Sequence, residues 1–137
     1  MGNVRILDHT GDIGIEVEDA TLEGIFAASA RAMFDIMADV SRVDPRCKEE
    51  IVLDAPGWDL LLREFLAEML FRFFSEGMIF SEFCVTFEGE RLRARVRGEP
   101  FDPERHGMKT ELKAVTYHQL EVRRTDRGWF ARIIFDV

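Results

Sequence analysis

The chain has 137 residues, 47% of them hydrophobic and 11% aromatic. That is enough apolar material for one packed domain, and too little chain for two independent ones. Its 18 Lys and Arg against 26 Asp and Glu leave a net charge of −8, which excludes coating of nucleic acid by overall charge and turns attention to local basic patches. Only Cys47 and Cys84 occur, far apart and outside any metal or redox spacing, so they read as isolated reduced thiols. Residues 1–12 lack the basic start and apolar run of a secretion signal. The most apolar segment, 60–74, is interrupted by Arg63, Glu64, Glu68 and Arg72, so a soluble, cytoplasmic protein without a membrane span is expected.

Along the chain, Val4 and Ile6, then Ile13, Ile15 and Val17, alternate with mostly polar neighbours around Asp8-His9-Thr10-Gly11-Asp12. This pattern predicts two strands joined by a short polar bend. From Thr21 the period changes: Leu22, Ile25, Phe26, Met33, Ile36, Met37 and Val40 recur at steps of three and four. An amphipathic helix follows, with Thr21 as N-cap and Glu23 in its first turn. Ile51-Val52-Leu53 reads as a strand closed off by Ala55-Pro56-Gly57. Trp58, Leu61, Leu62, Phe65, Leu66, Met69, Leu70 and Phe73 then form a broad helical stripe, which Gly77 is placed to end in the left-handed conformation. Beyond it the pattern is strand-like: Phe83, Val85 and Phe87; Leu92, Ala94 and Val96; a run over 112–122; and Trp129, Ala131, Ile133 and Phe135 after a hairpin corner at Asp126-Arg127-Gly128. Residues 99–110, with Pro100, Pro103 and Gly107, read as a mobile loop. Helices early and strands late predict an α+β fold, a mainly antiparallel sheet packed with two amphipathic helices, as a single domain over 1–137.

No P-loop, GxGxxG, GxSxG or HExxH pattern occurs, which removes the usual sequence support for nucleotide cradling, hydride transfer, serine hydrolysis and zinc-helix proteolysis. The bend holding Asp8, His9 and Asp12 places two carboxylates and an imidazole between strands, although turn chemistry alone accounts for such residues. In an unbroken strand over 112–122, Thr116 and His118 share the parity of Leu112, Leu120 and Val122 and point into the core, where a satisfied core histidine or a bulge competes with a functional site. Asp136 lies beside the α-carboxylate of Val137; if Asp12 is also near, an all-oxygen site for calcium or magnesium follows, and otherwise the end is a solvated tail. Arg91, Arg93, Arg95 and Arg97 occupy one face of a strand, a basic stripe suited to RNA phosphates or an acidic partner unless neighbouring Glu and Asp neutralise it.

Asp8-His9-Thr10-Gly11-Asp12-Ile13-Gly14, the 60–80 helix region, Lys113-Ala114-Val115-Thr116-Tyr117-His118 and the closing Phe135-Asp136-Val137, in that order, resemble the archease family end to end. The resemblance implies an activator of the tRNA-splicing 3'-phosphate RNA ligase, not an enzyme itself. It promotes guanylylation of the ligase's active-site histidine, multiple turnover and broader nucleotide use, with RNA contact indirect or weak. It also implies a divalent metal ion, calcium first and magnesium or manganese as alternatives, held by Asp12, Asp136 and Val137. Asp8, His9, Lys113 and His118 then become candidates for positioning that site and contacting the ligase. Gly11 departs from the family's usual Ala or other small residue and is expected to loosen the bend without removing a ligand. A small metal-dependent hydrolase, with His9 or His118 as general base, and a general chaperone are the alternative functions.

Overall fold

The computed structural model describes residues 2–137, apart from the side chain of His9. Strands β1 (Asn3–His9) and β2 (Asp12–Asp19) form a hairpin around the two-residue turn Thr10-Gly11. Helix α1 (Leu22–Met37) starts at Thr21, whose hydroxyl accepts the Gly24 N–H at 3.0 Å, and it ends before Val40, which lies in a separate 3-10 turn. Strand β3 (Cys47–Asp54) leads to helix α2 (Trp58–Glu76), which stops at Gly77 (φ 67, ψ 26) in the left-handed conformation that only glycine adopts freely. A long hairpin follows, β4 (Met78–Glu88) and β5 (Arg91–Pro100). The chain closes with short helix α3 (Pro103–His106), β6 (Ala114–Val115), β7 (Glu121–Thr125) and β8 (Gly128–Asp136).

All strand pairings are antiparallel. The larger sheet runs β1-β2-β8, and the far edge of β8 pairs with β6 near its C-terminal end and with β7 near its start. The smaller sheet runs β3-β5-β4. Helices α1 and α2 lie against strands of both sheets, so the inward rows Ile15, Val17, Ile133 and Phe135 of one sheet and Ile51, Leu92, Ala94 and Val96 of the other meet the same two helices in one core. The α+β expectation, with two amphipathic helices on antiparallel sheets, describes this architecture.

Two local expectations fail, each for a polar reason. Residues 112–122 are not one strand. Only Ala114 and Val115 pair with β8 before the chain turns at Tyr117 to Leu120, where Gln119 takes φ 52, and β7 rejoins β8 further along. Thr116 and His118 therefore do not enter the core, since His118 is exposed and Thr116 is only half-buried. Residues 99–110 are not a free loop either. Glu99 is 1% and His106 0% exposed, and His106 Nε2 lies 2.8 Å from Glu99 Oε2. The Asp102 N–H donates to His106 Nδ1 at 3.0 Å, which leaves the ring proton on Nε2, facing Glu99. Arg46 and Arg105 donate to Glu99 Oε1 at 3.3 and 2.8 Å, and the Asp44 N–H to Oε2 at 2.8 Å. Burial alone would raise the Glu99 carboxyl, but these donors together with the Arg105 charge hold it at about 2. The segment after this anchor runs along the end of α1, with Lys109 and Thr110 N–H groups donating to Met37 and Ile36 carbonyls, and so arrives at Lys113 in a fixed place.

Candidate functional site

The two-residue turn requires Gly11 at φ 83, and a Cβ there would meet nothing within 4 Å. Gly11 is thus the residue this bend needs on backbone grounds, not a loosening of it. The turn makes His9 and Asp12 a hydrogen-bonded pair, so on its other side Asp12 faces β8 as a non-hydrogen-bonded pair, and its partner there is Asp136. Pairs of that kind bring Cα atoms to about 4.5 Å with their side chains on one face. The register next sets Ala114 beside Asp136, and the Lys113 N–H donates to the Asp136 carbonyl at 2.8 Å. The Val137 N–H donates to the Gly11 carbonyl at 3.4 Å, fixing that residue between the turn and β8.

Asp12 therefore meets Asp136 and Val137, from the other end of the chain, at one end of the larger sheet. Among the described residues Asp12 Oδ1 is buried without a hydrogen-bond partner and neither carboxylate has an ion-pair partner, while Asp136 is exposed. Two carboxylates directly opposite each other repel, and a buried oxygen without a donor costs about 1–3 kcal/mol. An all-oxygen set of this kind suits a hard divalent cation. Among the described residues no three His, Cys, Asp or Glu side chains group as a metal site.

The other candidates divide. Lys113 and His118 are exposed on the strap that borders Asp136, without ion-pair partners among the described residues. Asp8 pairs with Ile13, one residue out of step with Asp12, so it belongs to the sheet face that carries α1 and not to the carboxylate pair. The His9 backbone pairs with Asp12, while its side chain lies outside the described residues. The sequence reasoning missed what holds the strap. The Thr116 hydroxyl donates to the Ile134 carbonyl at 2.9 Å and accepts the His118 N–H at 3.1 Å. From α2, Arg63 donates from Nε to the Val115 carbonyl at 3.1 Å and lies 4.3 Å over the Tyr117 ring. The available signal was Arg63 itself, a cation breaking the apolar pattern of α2.

The arginine stripe lies on β5, the central strand of the smaller sheet, and is half neutralised. Arg91 is held by Asp54 at 3.1 and 3.2 Å, and Arg93 reaches Glu50 at 3.3 Å and Glu88 at 3.6 Å. Arg95 and Arg97 have no ion-pair partner among the described residues.

Two antiparallel sheets sharing one pair of helices, with uncompensated carboxylates gathered at a strand end, define a class of small α+β protein in which polar groups concentrate at a tip. The model of the Archease protein family (MTH1598/TM1083) matches residues 5–137, and the chain belongs to that family. Proteins named archease from Methanopyrus kandleri and Pyrococcus furiosus are 41% and 37% identical to it, over 96% and 95% of each chain. The solution structure of protein 1598 of Methanobacterium thermoautotrophicum matches with a TM-score of 0.85 at 31% identity, covering 98% of each chain. A crystal structure from Thermotoga maritima, described as an archease and possible chaperone, has the same fold with a TM-score of 0.67 at 19% identity, over 96% of this chain and 94% of that one.

Proposed function

We propose that this protein activates the tRNA-splicing 3'-phosphate RNA ligase, promoting guanylylation of the ligase's active-site histidine, multiple turnover and broader nucleotide use, without carrying a reaction of its own. The observation behind this reading is the cross-strand pair Asp12 and Asp136, with Asp12 Oδ1 buried and unpartnered among the described residues and Val137 fixed alongside. These residues fit a divalent cation, calcium first, with Asp12, Asp136 and a main-chain oxygen of Val137 holding it. When bound, such an ion supplies positive charge for phosphate oxygens. Asp12 and Asp136 set where that charge sits, and the Arg63 and Thr116 contacts keep Lys113 and His118 on its border as donors toward a partner. Asp8 and His9, on the strand that enters the same turn, are further partner-contact candidates. A cytoplasmic location fits these roles, and no described helix is long and apolar enough to cross a membrane.

RNA ligation by the cognate ligase with substrate in excess, with and without catalytic amounts of this protein, tests the reading. The expected result is a change from single to multiple turnover that Asp12→Ala removes. No change with a competent ligase sinks it, and nucleotide turnover by the protein alone would point to the hydrolase. A chaperone role has one observation of its own, the exposed Phe71 and Phe74 on α2 at 62% and 51%. Protection of unrelated clients from aggregation, lost in a Phe71→Ser/Phe74→Ser double variant, would establish it.

A further inference from the structure

Strand β1 is an edge of the larger sheet, paired with β2 and with no other strand among the described residues. Because His9 and Asp12 form a hydrogen-bonded pair, the register leaves the N–H and C=O groups of Val4, Ile6 and Asp8 pointing out of the sheet. The Val4 and Ile6 side chains stand beside Val17 and Ile15 on the face that carries α1, yet they remain 42% and 48% exposed. They line a cavity of about 640 Å³ whose other wall is the Ala28, Ala32 and Ile36 side of α1. An apolar edge strand with free backbone groups is a template for another strand.

The rim of the same cavity carries Arg31 and Asp35, one helical turn apart. Arg31 donates to the Ser81 carbonyl at 2.8 Å and has no carboxylate partner among the described residues. Asp35 is exposed and among the described residues reaches only Lys109, at 3.8 Å. A cation and an anion side by side on one groove are self-complementary under a two-fold axis, since each meets the other's counterpart.

We propose that this edge binds a second copy of the chain, β1 against β1 antiparallel, with Ile6 on the two-fold axis. Ile6 is the midpoint of Asn3–His9, so this register pairs both strands over their full length. It sets Val4 opposite Asp8 and Arg5 opposite Leu7, whereas centring on Arg5 would set two arginines face to face. The two Ile6 side chains then meet at the centre of one row, flanked on each side by Val4 of one copy and Asp8 of the other, beneath two antiparallel α1 helices that approach across Ala28 and Ala32 with Arg31 of each copy against Asp35 of the other. The two Asp12–Asp136 ends point in opposite directions and stay open, whereas Asp8 and His9 of each copy enter the strand pairing opposite Val4 and Asn3, so the dimer covers these two partner-contact candidates while leaving the carboxylate pair free.

Sedimentation of the full chain over a range of concentrations tests this. Twice the chain mass is expected, with association at least about a hundredfold weaker in Ile6→Lys, because each substitution counts twice across the axis. Arg31→Glu should weaken the dimer and the charge swap Arg31→Glu/Asp35→Arg should restore it. In a Cys47→Ser/Cys84→Ser background, Ile6→Cys should form a covalent dimer with oxidised glutathione. Hydrogen-bonded antiparallel partners have Cα atoms about 5.5 Å apart, within disulfide reach. A monomer at every concentration up to about 1 mM, a dimer indifferent to Ile6→Lys, or cross-linking through Arg5→Cys in place of Ile6→Cys overturns the proposal.

Discussion

Glu99 and Asp12 are carboxylates withdrawn from water in different parts of the fold, and their surroundings are opposites. Both Glu99 oxygens are answered, by a backbone N–H, two arginines and a histidine whose other ring nitrogen accepts the Asp102 N–H. Asp12 offers a buried oxygen to no donor among the described residues and stands opposite a second carboxylate. A satisfied buried charge stabilises the segment it ties down, whereas an unsatisfied one beside a like charge weakens the fold unless something from outside compensates. The Glu99 cluster therefore serves structure, and under the proposed function the Asp12 pair serves activity, so substitutions at the two places should separate stability from activity.

The largest effect is expected at the satisfied end. Glu99→Ala leaves the His106 Nε2–H and the Asp44 N–H without an acceptor and should lower unfolding stability by roughly 3–5 kcal/mol, measured by urea denaturation. The same contrast has a pH signature. The Glu99 carboxyl is held at about 2 in the folded protein and ionises nearer its ordinary value, about 4.3, when unfolded. Its contribution is therefore complete above the unfolded value and is lost as pH falls from about 5 toward 2. Melting temperatures across that window should drop more steeply for the wild type than for Glu99→Gln. Equal slopes would show that the cluster does not set the acid limit.

At the unsatisfied end activity should fall and stability should not. Asp12→Ala is expected to reduce ligase activation at least about a hundredfold, a figure taken from the loss of metal-site residues, while urea denaturation shows no loss of stability. A variant that activates normally, or one that unfolds, would erase the distinction between the two carboxylates.

How much of this could be read from the residues follows the same division. The apolar periods located both long helices, and the alternation together with Gly11, Gly77 and the Asp126-Arg127-Gly128 corner located the hairpins, because burial and turn geometry act over a few neighbouring residues. From the residues, Asp12, Asp136 and Val137 form a set only on the condition that they lie close, and family likeness alone joins them without it, since their meeting depends on β8 lying next to β2, a pairing across most of the chain. The Glu99–His106 anchor was read as a loop for the reverse reason. Pro100, Pro103 and Gly107 are strong local punctuation, while the partners Arg46 and Asp44 come from another part of the chain. The parity reading of Thr116 and His118 rests on an unbroken strand, and the turn from Tyr117 to Leu120, with Gln119 at positive φ inside it, cancels it.

The geometry of the tip can be probed apart from its charge. Gly11→Ala adds a methyl group into open space, so its whole cost is the left-handed backbone at φ 83, about 1–2 kcal/mol in thermal unfolding. Activation should fall less than in Asp12→Ala because both carboxylates remain. A neutral effect on stability would mean that the turn relaxes to another type, and the Asp12–Asp136 register should then be remeasured.

The smallest effect carries the sharpest sign. Without added metal, Asp136→Asn removes one of two like charges facing each other across β2 and β8 and should raise stability by about 0.2–1 kcal/mol. Calcium should reverse the order, because a ligand that binds only the folded state stabilises the wild type in proportion to its occupancy while the variant has lost a donor. Thermal unfolding of both proteins with a chelator and with millimolar calcium reads this as two curves that cross. Parallel curves would mean that the repulsion is relieved without an ion, and the unpartnered Asp12 oxygen would then be answered by a group on the ligase itself.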